Sequence, residues 1–401
     1  MRVLLSTYDS RGGVEPMLSV AISLRGLGAD VRFCAPPDCA DRIAEYDVPH
    51  VAVGGSVREL VHAPVAPSPA DVPKRAAELI EAHFEMLHDA GAGCDVLVTS
   101  GLVPVVASGR SIAEKLGVPS VLFGHCPIFI PSQDQRPHPL PGHPIPDDVT
   151  DPEALNQLDI DNYNSLFGDL VNAHRVATGL PPTDDVRELV WGGGVLLAAD
   201  PVIAPWHGRS AYDVVQTGVP IVPDQRPLPA DLESFLAAGS APVFASFGSM
   251  RPPADFARVA IEAIRAHGRR VVLGRGWAGL DLIDHADDCF AVGEVNQQAL
   301  FRRVAAVVHH GGAGTTATAT MAAVPQVVVP QIADQPYFAA RVAALGVGVA
   351  HDGPTPSVES LTAALGRALD PGIRSRAADV ARTIRMDGAE AAARALLDVA
   401  R

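Results

Sequence analysis

The residues with the clearest chemical potential lie in one stretch near residue 310. Residues 304–308 are an apolar run that predicts a buried strand, and the segment after it, from His310 to Thr315, predicts a tight turn into a helix. Such a turn directs backbone N–H groups and the positive end of a helix dipole at one point, which favours phosphate. We therefore expect an anion site with these members: His310, Gly311, Gly312, Gly314 and Thr315.

Two further pairs of side chains follow predicted strands of the same half. Asp334 and Gln335 come after one apolar run, and Arg275 and Trp277 come after another. In open α/β sheets ligands bind at the carboxyl ends of the strands. A carboxylate and an amide can each bind two neighbouring hydroxyl groups there, and Arg275 and Trp277 could stack on a planar ring. Trp277 is equally consistent with a packed core aromatic.

Signatures of other nucleotide-binding proteins are missing. No G-x-x-x-x-G-K-[ST] occurs, which disfavours a P-loop NTPase. Gly12 and Gly13, after the first predicted strand, lack the G-x-G-x-x-G spacing of a dinucleotide fingerprint. Asp159 and Asp161 form a D-x-D triplet of the kind that can hold a divalent metal, but they lie in a helical stretch that we expect to be a solvated face. We therefore expect no metal site and no cofactor.

Bulk composition restricts the partners. The formal net charge is −15, whereas a nucleic-acid surface needs a basic stripe. The five cysteines show no C-x-x-C spacing, which indicates a reduced protein without zinc or disulfides. No apolar run approaches the roughly 18 residues that span a membrane, and the first five residues predict a strand rather than a signal peptide. We expect a cytoplasmic monomer that binds neither nucleic acid nor membrane.

Apolar runs alternate with helical patterns along the whole chain, which predicts parallel sheets covered by helices. At 401 residues the chain is too long for one ordinary core. We predict an α/β protein with two doubly wound, Rossmann-like domains in series. The predicted boundaries are 1–204 for the first domain, 205–229 for a linker, 230–380 for the second domain, and 381–401 for a closing helix that can pack back on the first domain.

Residues 128–150 break this alternation. They are rich in proline, include His138 and His143, and show little hydrophobic periodicity. Long irregular insertions are usually functional. We therefore assign this segment to the mouth of an acceptor site.

Four motifs together resemble one enzyme family. They are SRGGVEP at 10–16, GEVN at 293–296, HHGGAGTT at 309–316 and DQP at 334–336. They are similar to motifs of the nucleotide-sugar glycosyltransferases of GT-B type, in which two Rossmann-like domains face each other across a cleft. More narrowly, the chain resembles the actinomycete enzymes of antibiotic biosynthesis that glycosylate vancomycin- and teicoplanin-type glycopeptides.

The resemblance implies an inverting, metal-independent transfer of a sugar from a UDP- or dTDP-sugar to a hydroxyl of a glycopeptide aglycone. The first domain would bind the acceptor and the second the donor. In such enzymes the segment that matches Val295 binds the nucleotide base through its backbone, and the pair that matches Asp334 and Gln335 binds the sugar. The turn that matches the first turn of this chain faces the donor phosphates. Besides the anion turn, the expected donor-binding residues are Ser10, Arg11, Gly12, Ser249, Arg275, Trp277, Val295, Asp334 and Gln335.

The general base is where the sequence departs from this family. The relatives carry SRGD in the first turn, with the aspartate proposed as base, whereas this chain has Gly13. We expect Asp9 as the first substitute, His125 as the second and Glu15 as the third, and Asp334 completes the candidate catalytic set. Two alternatives stay open on the sequence: a nucleotide-sugar or glycopeptide binding protein that has lost its base, and a nucleotide-sugar epimerase of the same architecture.

Overall fold

The computed structural model describes residues 1–62 and 68–399, which fall into two compact units. The first unit contains residues 1–201, 205–222 and the segment from 386 onward. The second unit contains residues 202–204 and 223–385. Each unit has its own sheet and its own hydrophobic core.

In its described residues, the first unit is built on seven parallel strands. They are β1 (Arg2–Thr7), β2 (Asp30–Ala35), β3 (His50–Ala52), β4 (Val96–Ser100), β5 (Ser120–Gly124), β6 (Val195–Leu197) and β7 (Val214–Gln216). Their order in the sheet is β3-β2-β1-β4-β5-β6-β7. The order reverses between β1 and β4, and such a switch point is where open α/β sheets bind ligands. Nearly all of β1 and β4 is buried, which explains their continuous apolar sequences.

Among the described residues of this unit, seven α-helices connect the strands. They are α1 (Arg11–Gly26), α2 (Ala40–Ala44), α3 (Val57–His62), α4 (Val72–Ala90), α5 (Val103–Leu116), α6 (Pro152–Ala177) and α7 (Val186–Trp191). Helix α1 begins after Ser10, whose hydroxyl accepts a hydrogen bond from the Gly12 N–H at 3.4 Å. Because α1 follows β1 directly, its first turn stands at the carboxyl end of the sheet.

The second unit contains six parallel strands. They are β8 (Val243–Ala245), β9 (Val271–Gly274), β10 (Cys289–Val292), β11 (Ala306–His309), β12 (Gln326–Val328) and β13 (Gly348–Ala350). Their order is β10-β9-β8-β11-β12-β13, so the switch point lies between β8 and β11. The prediction of an α/β fold with two doubly wound domains is confirmed.

Seven helices belong to the second unit. They are α8 (Ala230–Ala237), α9 (Phe256–Arg265), α10 (Gln297–Leu300), α11 (Ala313–Met321), α12 (Gln335–Leu345), α13 (Val358–Ala368) and α14 (Pro371–Ala381). Helices α9 and α13 pack against each other on one face of the sheet. Their apolar side chains form a core with those of β8, β9 and β11.

The final helix, α15 (Gly388–Val399), returns to the first unit. It packs along α1, and its buried residues Ala392, Ala393 and Leu396 join the first core. A side chain at Gly388 would begin 2.6 Å from the carbonyl of Val219, so only glycine permits this approach. The last two residues of the closing helix predicted at 381–401 lie outside the described residues.

The linker predicted at 205–229 differs from the structure. Residues 205–222 belong to the first unit, where β7 forms the edge of the sheet. The Gln216 side chain fixes this segment by accepting from the Trp206 N–H at 3.2 Å and donating to the Ala199 carbonyl at 2.9 Å. The three-residue strand is too short to give a pattern among the surrounding prolines, which is why the sequence suggested a linker.

The D-x-D triplet is not the solvated face that the sequence suggested. Asp159 is buried and forms an ion pair with Arg187 at 3.1 Å, whereas Asp161 is exposed. The two carboxylates therefore belong to different environments. Within the part of the chain that the structure describes, no group of His, Cys, Asp and Glu side chains has the arrangement of a metal site.

The insertion at 128–150 is held by side-chain contacts within the first unit. Arg136 donates to the carbonyls of Val149 and Pro146 at 2.7 and 2.8 Å. Asp134 forms an ion pair with Arg209 at 2.8 Å and also accepts from its backbone N–H. The segment is thus irregular in backbone but fixed at both ends. Across residues 1–62 and 68–399, none of the helices has the length and apolar character needed to cross a membrane.

Candidate functional site

The glycine turn after β11 is shaped by the first of two adjacent histidines. His309 is buried; its Nδ1 accepts the Gly311 N–H at 3.1 Å, so its Nε2–H donates to Gln326 at 3.0 Å. Gly311 has a φ of +95°, and a side chain there would begin 2.7 Å from Val328. The turn therefore depends on glycine at 311 and on the His309–Gln326 hydrogen bond.

His310 is the histidine that we predict to meet a ligand. Its ring lies against two glycine turns: a Cβ at Gly312 would stand 2.6 Å from Nε2, and one at Gly248 would stand 3.6 Å from Cε1. Its Nδ1 is buried and makes no hydrogen bond to any described residue. Burial lowers the pKa of His310 to about 4, so the ring is neutral at pH 7 and offers one N–H donor rather than a charge.

The N-terminus of α11 completes the anion turn. Gly312 occupies the N-cap position, where no side chain accepts from the first N–H groups. Thr316 and Thr318 use their hydroxyls to bond carbonyls one turn back, at 3.0 and 2.8 Å, whereas Thr315 makes no such bond among the described residues. Free backbone donors, a helix dipole and the Thr315 hydroxyl together suit a diphosphate.

The turns after β8 and β9 lie against each other. Gly248 and Gly276 both have a φ of +57°, and the Trp277 N–H donates to the Gly248 carbonyl at 2.8 Å. Trp277 is only 6% exposed, so the structure favours a packed aromatic over a side chain that stacks on a ligand. Arg275 forms an ion pair with Asp281 at 2.9 Å and is partly exposed. Ser249, next to Gly248, belongs to the same turn.

The predicted base-binding segment follows β10. Asn296 caps α10 by accepting from the Ala299 N–H at 2.9 Å, and its amide donates to the carbonyls of Asp224 and Arg226. These bonds fix the backbone on which Val295 lies. The binding of a nucleotide base by the backbone of Val295 remains a prediction.

Asp334 and Gln335 lie at the start of α12 and differ in their surroundings. Asp334 is partly exposed and follows Ala333, whose φ is +55°. Gln335 is buried. Its side-chain oxygen Oε1 accepts a hydrogen bond from the Gln331 N–H at 2.9 Å, and its side-chain nitrogen Nε2 donates to the Met250 sulfur at 2.8 Å. Gln335 therefore shapes the loop. Its predicted contact with a sugar stays a prediction, and Asp334 is the better placed of the two.

In the first unit, the turn between β1 and α1 holds a half-buried carboxylate. Asp9 Oδ1 accepts from the Ser10 N–H at 2.6 Å. Burial raises the pKa of Asp9 to about 6, against the lowering effect of its hydrogen bonds with Ser10. Arg11 and Gly12 follow in the first turn of α1. This turn stands at the switch point of the sheet.

The other two candidate bases have partners. Glu15 is bound by the Arg42 guanidinium at 2.8 and 3.1 Å. His125, after β5, shares a hydrogen bond with Ser100 at 3.0 Å, and burial lowers its pKa to about 4. Ser100 lies at the end of β4, so the two switch-point strands and β5 bring these groups to one sheet edge.

Sequence reasoning missed three positioning residues: Ser100, Gln326 and Met250. Gln326 had a visible signal, since it is a lone amide opening an otherwise apolar strand. Ser100 and Met250 had none, because their partners are 25 and 85 residues away in the chain.

Comparisons with known proteins identify relatives of the chain. Residues 278–392 match the family described as Erythromycin biosynthesis protein CIII-like, C-terminal domain. The chain is 54% identical to glycosyltransferase GtfE of Amycolatopsis orientalis, over 98% of this chain and 96% of the relative. It is 52% identical to the vancomycin aglycone glucosyltransferase of the same organism, over 99% and 97%. It is 47% identical to the dTDP-epi-vancosaminyltransferase of that organism, over 95% and 93%.

A solved structure, the glycotransferase of kitacinnamycin, superposes with a TM-score of 0.70 at 19% identity, over 99% of this chain and 98% of that one. This likeness shows the fold, which is GT-B. The sequence relatives carry the assignment further, because they are transferases rather than epimerases or binding proteins. Because about half of the residues are identical along almost the whole chain, this enzyme belongs to the glycosyltransferase family of GtfE and the vancomycin aglycone glucosyltransferase.

Proposed function

We propose that this enzyme moves a sugar from a UDP- or dTDP-activated donor to a hydroxyl of a glycopeptide aglycone of the vancomycin type. The observation that carries the proposal is the anion turn at the start of α11, with His310 beside it. The 52% identity to a vancomycin aglycone glucosyltransferase supports the class of acceptor. The 47% identity to a dTDP-epi-vancosaminyltransferase supports a nucleoside diphosphate sugar as donor.

The second unit would hold the donor. Backbone N–H groups of α11 and the neutral His310 ring would stabilise the charge that develops on the leaving diphosphate. Because a helix dipole and hydrogen bonds supply this stabilisation, we propose a reaction that does not depend on a metal. Asp334 would hold sugar hydroxyls, which orients the anomeric carbon for attack.

The first unit would hold the acceptor, and the insertion at 128–150 would contribute to the acceptor site. The acceptor oxygen attacks the anomeric carbon as the bond to the diphosphate breaks on the opposite face. The configuration at that carbon is therefore inverted. The hydroxyl proton must be taken by a general base.

Mass spectrometry tests this function. The protein is incubated with a vancomycin-type aglycone and a panel of UDP- and dTDP-sugars, with and without a chelator. We expect the aglycone to gain the mass of one sugar, equally in both conditions. The absence of any gain across the panel would contradict the proposed substrates, and a gain abolished by chelator would contradict the metal-independent step.

Asp334→Ala tests the division of roles within the donor site. We expect turnover to fall at least 100-fold while the affinity for the nucleoside diphosphate stays within about threefold, because in this proposal Asp334 would bind the sugar and not the nucleotide. Calorimetry measures the affinity. Asp287→Ala, which alters an exposed carboxylate of the same unit, is the control. Full activity of Asp334→Ala would remove this residue from the mechanism.

A further inference from the structure

Positions 9 and 13 share one space in the first turn of α1. A Cβ built on Gly13 would lie 2.6 Å from Asp9 Oδ2, 2.7 Å from its Cβ and 2.9 Å from its Cγ. Non-bonded atoms do not approach so closely, and the Cβ of Asp9 cannot rotate away as a flexible chain end can. The Asp9 side chain therefore occupies the place that a side chain at 13 would take. The glycine at 13 is a steric requirement of the aspartate at 9.

The two oxygens of Asp9 have different surroundings. Oδ1 accepts the Ser10 N–H at 2.6 Å, which fixes the plane of the carboxylate. Oδ2 lies over Gly13, where a Cβ would stand 2.6 Å from it, and the Ser10 side chain forms a further hydrogen bond with the carboxylate. One oxygen is thus used to orient the group, and the other faces the first turn of α1.

The remaining acid and base groups nearby are less suited to take a proton. Two guanidinium nitrogens of Arg42 donate to the two carboxylate oxygens of Glu15, at 2.8 and 3.1 Å, so both oxygens already have a partner. His125 has a pKa lowered to about 4 by burial, so it is a weak base. Burial raises the pKa of Asp9 to about 6, which matches a base that works near neutral pH.

We propose, on the basis of the transfer function proposed above, that Asp9 is the general base and that it does from position 9 what the aspartate of SRGD would do from position 13. In the step, the acceptor oxygen forms a bond to the anomeric carbon while its proton passes to Asp9 Oδ2. The electron pair of the breaking C–O bond leaves with the nucleoside diphosphate. Asp9 then releases the proton to solvent, which restores the carboxylate.

Cys39 lies within electrostatic range of Asp9 and of three other charged groups. Arg11 and Glu15 lie on α1, and Asp38 and Cys39 lie on the segment after β2. Burial raises the pKa of Cys39 to about 12, so its thiol is neutral at pH 7. The influences on the pKa of Asp9 itself are burial and the Ser10 hydrogen bonds.

The first part of the test measures turnover. Asp9→Asn keeps the shape of the side chain but removes the base, and Asp169→Asn, at an exposed site on α6, is the control. We expect kcat of Asp9→Asn to fall at least 100-fold with donor and acceptor KM values within about threefold. We expect the wild-type kcat to rise with pH through about 6, and the residual activity of Asp9→Asn to lose that rise. An Asp9→Asn variant that keeps a tenth of the wild-type kcat and the same pH profile overturns the proposal.

The second part exchanges the two positions. Gly13→Asp alone should lower the melting temperature by several degrees and lose activity, because two side chains compete for one space. The double variant Asp9→Gly/Gly13→Asp should recover the melting temperature and at least a tenth of the wild-type kcat. Equal melting temperatures for wild type and Gly13→Asp would refute the shared space without any reference to activity. A stable double variant that binds nucleotide but has no turnover would refute the exchange of function.

The third part separates the base from the acceptor. Hydrolysis of the donor sugar by water also needs a base, and it requires no aglycone. Slower donor hydrolysis in Asp9→Asn than in wild type supports Asp9 as the general base, even if no tested aglycone is glycosylated. In that case only the proposed acceptor is contradicted. Equal hydrolysis rates in the two proteins count against Asp9.

Discussion

At the scale of single residues, Gly312 and Gly314 stand two positions apart and meet different surroundings. A methyl group at 312 would lie 2.6 Å from His310 Nε2, whereas one at 314 meets no protein atom within 4 Å. We expect Gly312→Ala to displace the His310 ring, weakening both the folded state and nucleotide binding. Gly314→Ala should leave the melting temperature unchanged and weaken binding only, because its methyl would intrude on the ligand. Thermal melts and calorimetry with the nucleoside diphosphate check both.

Asp9 should make the folded state less stable at neutral pH. Its pKa is about 6 in the folded protein and about 3.9 in an unfolded chain. Between pH 4 and 6 only the folded state holds this proton, so the free energy of unfolding falls as the pH rises. About two pKa units at 1.36 kcal/mol each give a cost of about 2 to 3 kcal/mol that persists above pH 6.

Asp9→Asn removes this cost. Its free energy of unfolding relative to wild type should therefore be about 2 kcal/mol higher at pH 8 than at pH 4. Urea unfolding in a Trp277→Phe background measures it, since Trp191 and Trp206 then report the first unit alone. A difference that does not change with pH would show that Asp9 titrates normally in the folded protein.

The anion turn could be predicted from the sequence because glycine spacing after an apolar run has few structural solutions. The choice of His310 over His309 as the ligand-facing histidine stays a prediction. The structure adds that His309 is hydrogen-bonded to Gln326, 17 residues away in the chain. The burial of Trp277 and Gln335 could not be predicted from the sequence, because burial depends on spatial neighbours that sequence spacing does not reveal.

At the scale of elements, α15 packs into the core of the first unit, whose first strand and helix lie almost 400 residues before it in the chain. Leu396 is fully buried against the first core, whereas Arg394, two residues before it, is exposed. We expect Leu396→Ala to lower the free energy of unfolding of the first unit by about 3 kcal/mol, as large-to-small core changes do. Arg394→Ala should change it by less than about 0.5 kcal/mol. Equal effects in urea unfolding would contradict the packing of α15 on α1.

Strong hydrophobic periodicity allowed most helices and strands to be predicted from the sequence. Where this periodicity is absent, the prediction was wrong. Helix α5 begins at Val103, but its first two turns are buried on every side and therefore show no helical pattern in the sequence. Strand β7 has only three residues and no buried one. A pattern needs two contrasting faces, and both elements lack that contrast.

At the scale of the whole molecule, the two cores should respond differently to nucleotide. Most donor-site residues belong to the second unit, so a nucleoside diphosphate at 100 times its Kd should stabilise that unit by about 2.7 kcal/mol. Scanning calorimetry with and without UDP or dTDP should show one unfolding transition that moves more than the other. The nucleoside without its diphosphate is the control, and it should move the transition less. Equal shifts of both transitions would place the nucleotide elsewhere.

The return of α15 to the first unit has a consequence for biosynthesis. Residues 1–222 leave the ribosome before the second unit is made, yet α1 lacks its cover until residues 388–399 appear. At about 5 to 20 residues per second this interval lasts roughly 10 to 30 s. The half of the enzyme that is synthesised first is thus completed last, and during that interval an apolar stripe of α1 is open to chaperones and to neighbouring nascent chains.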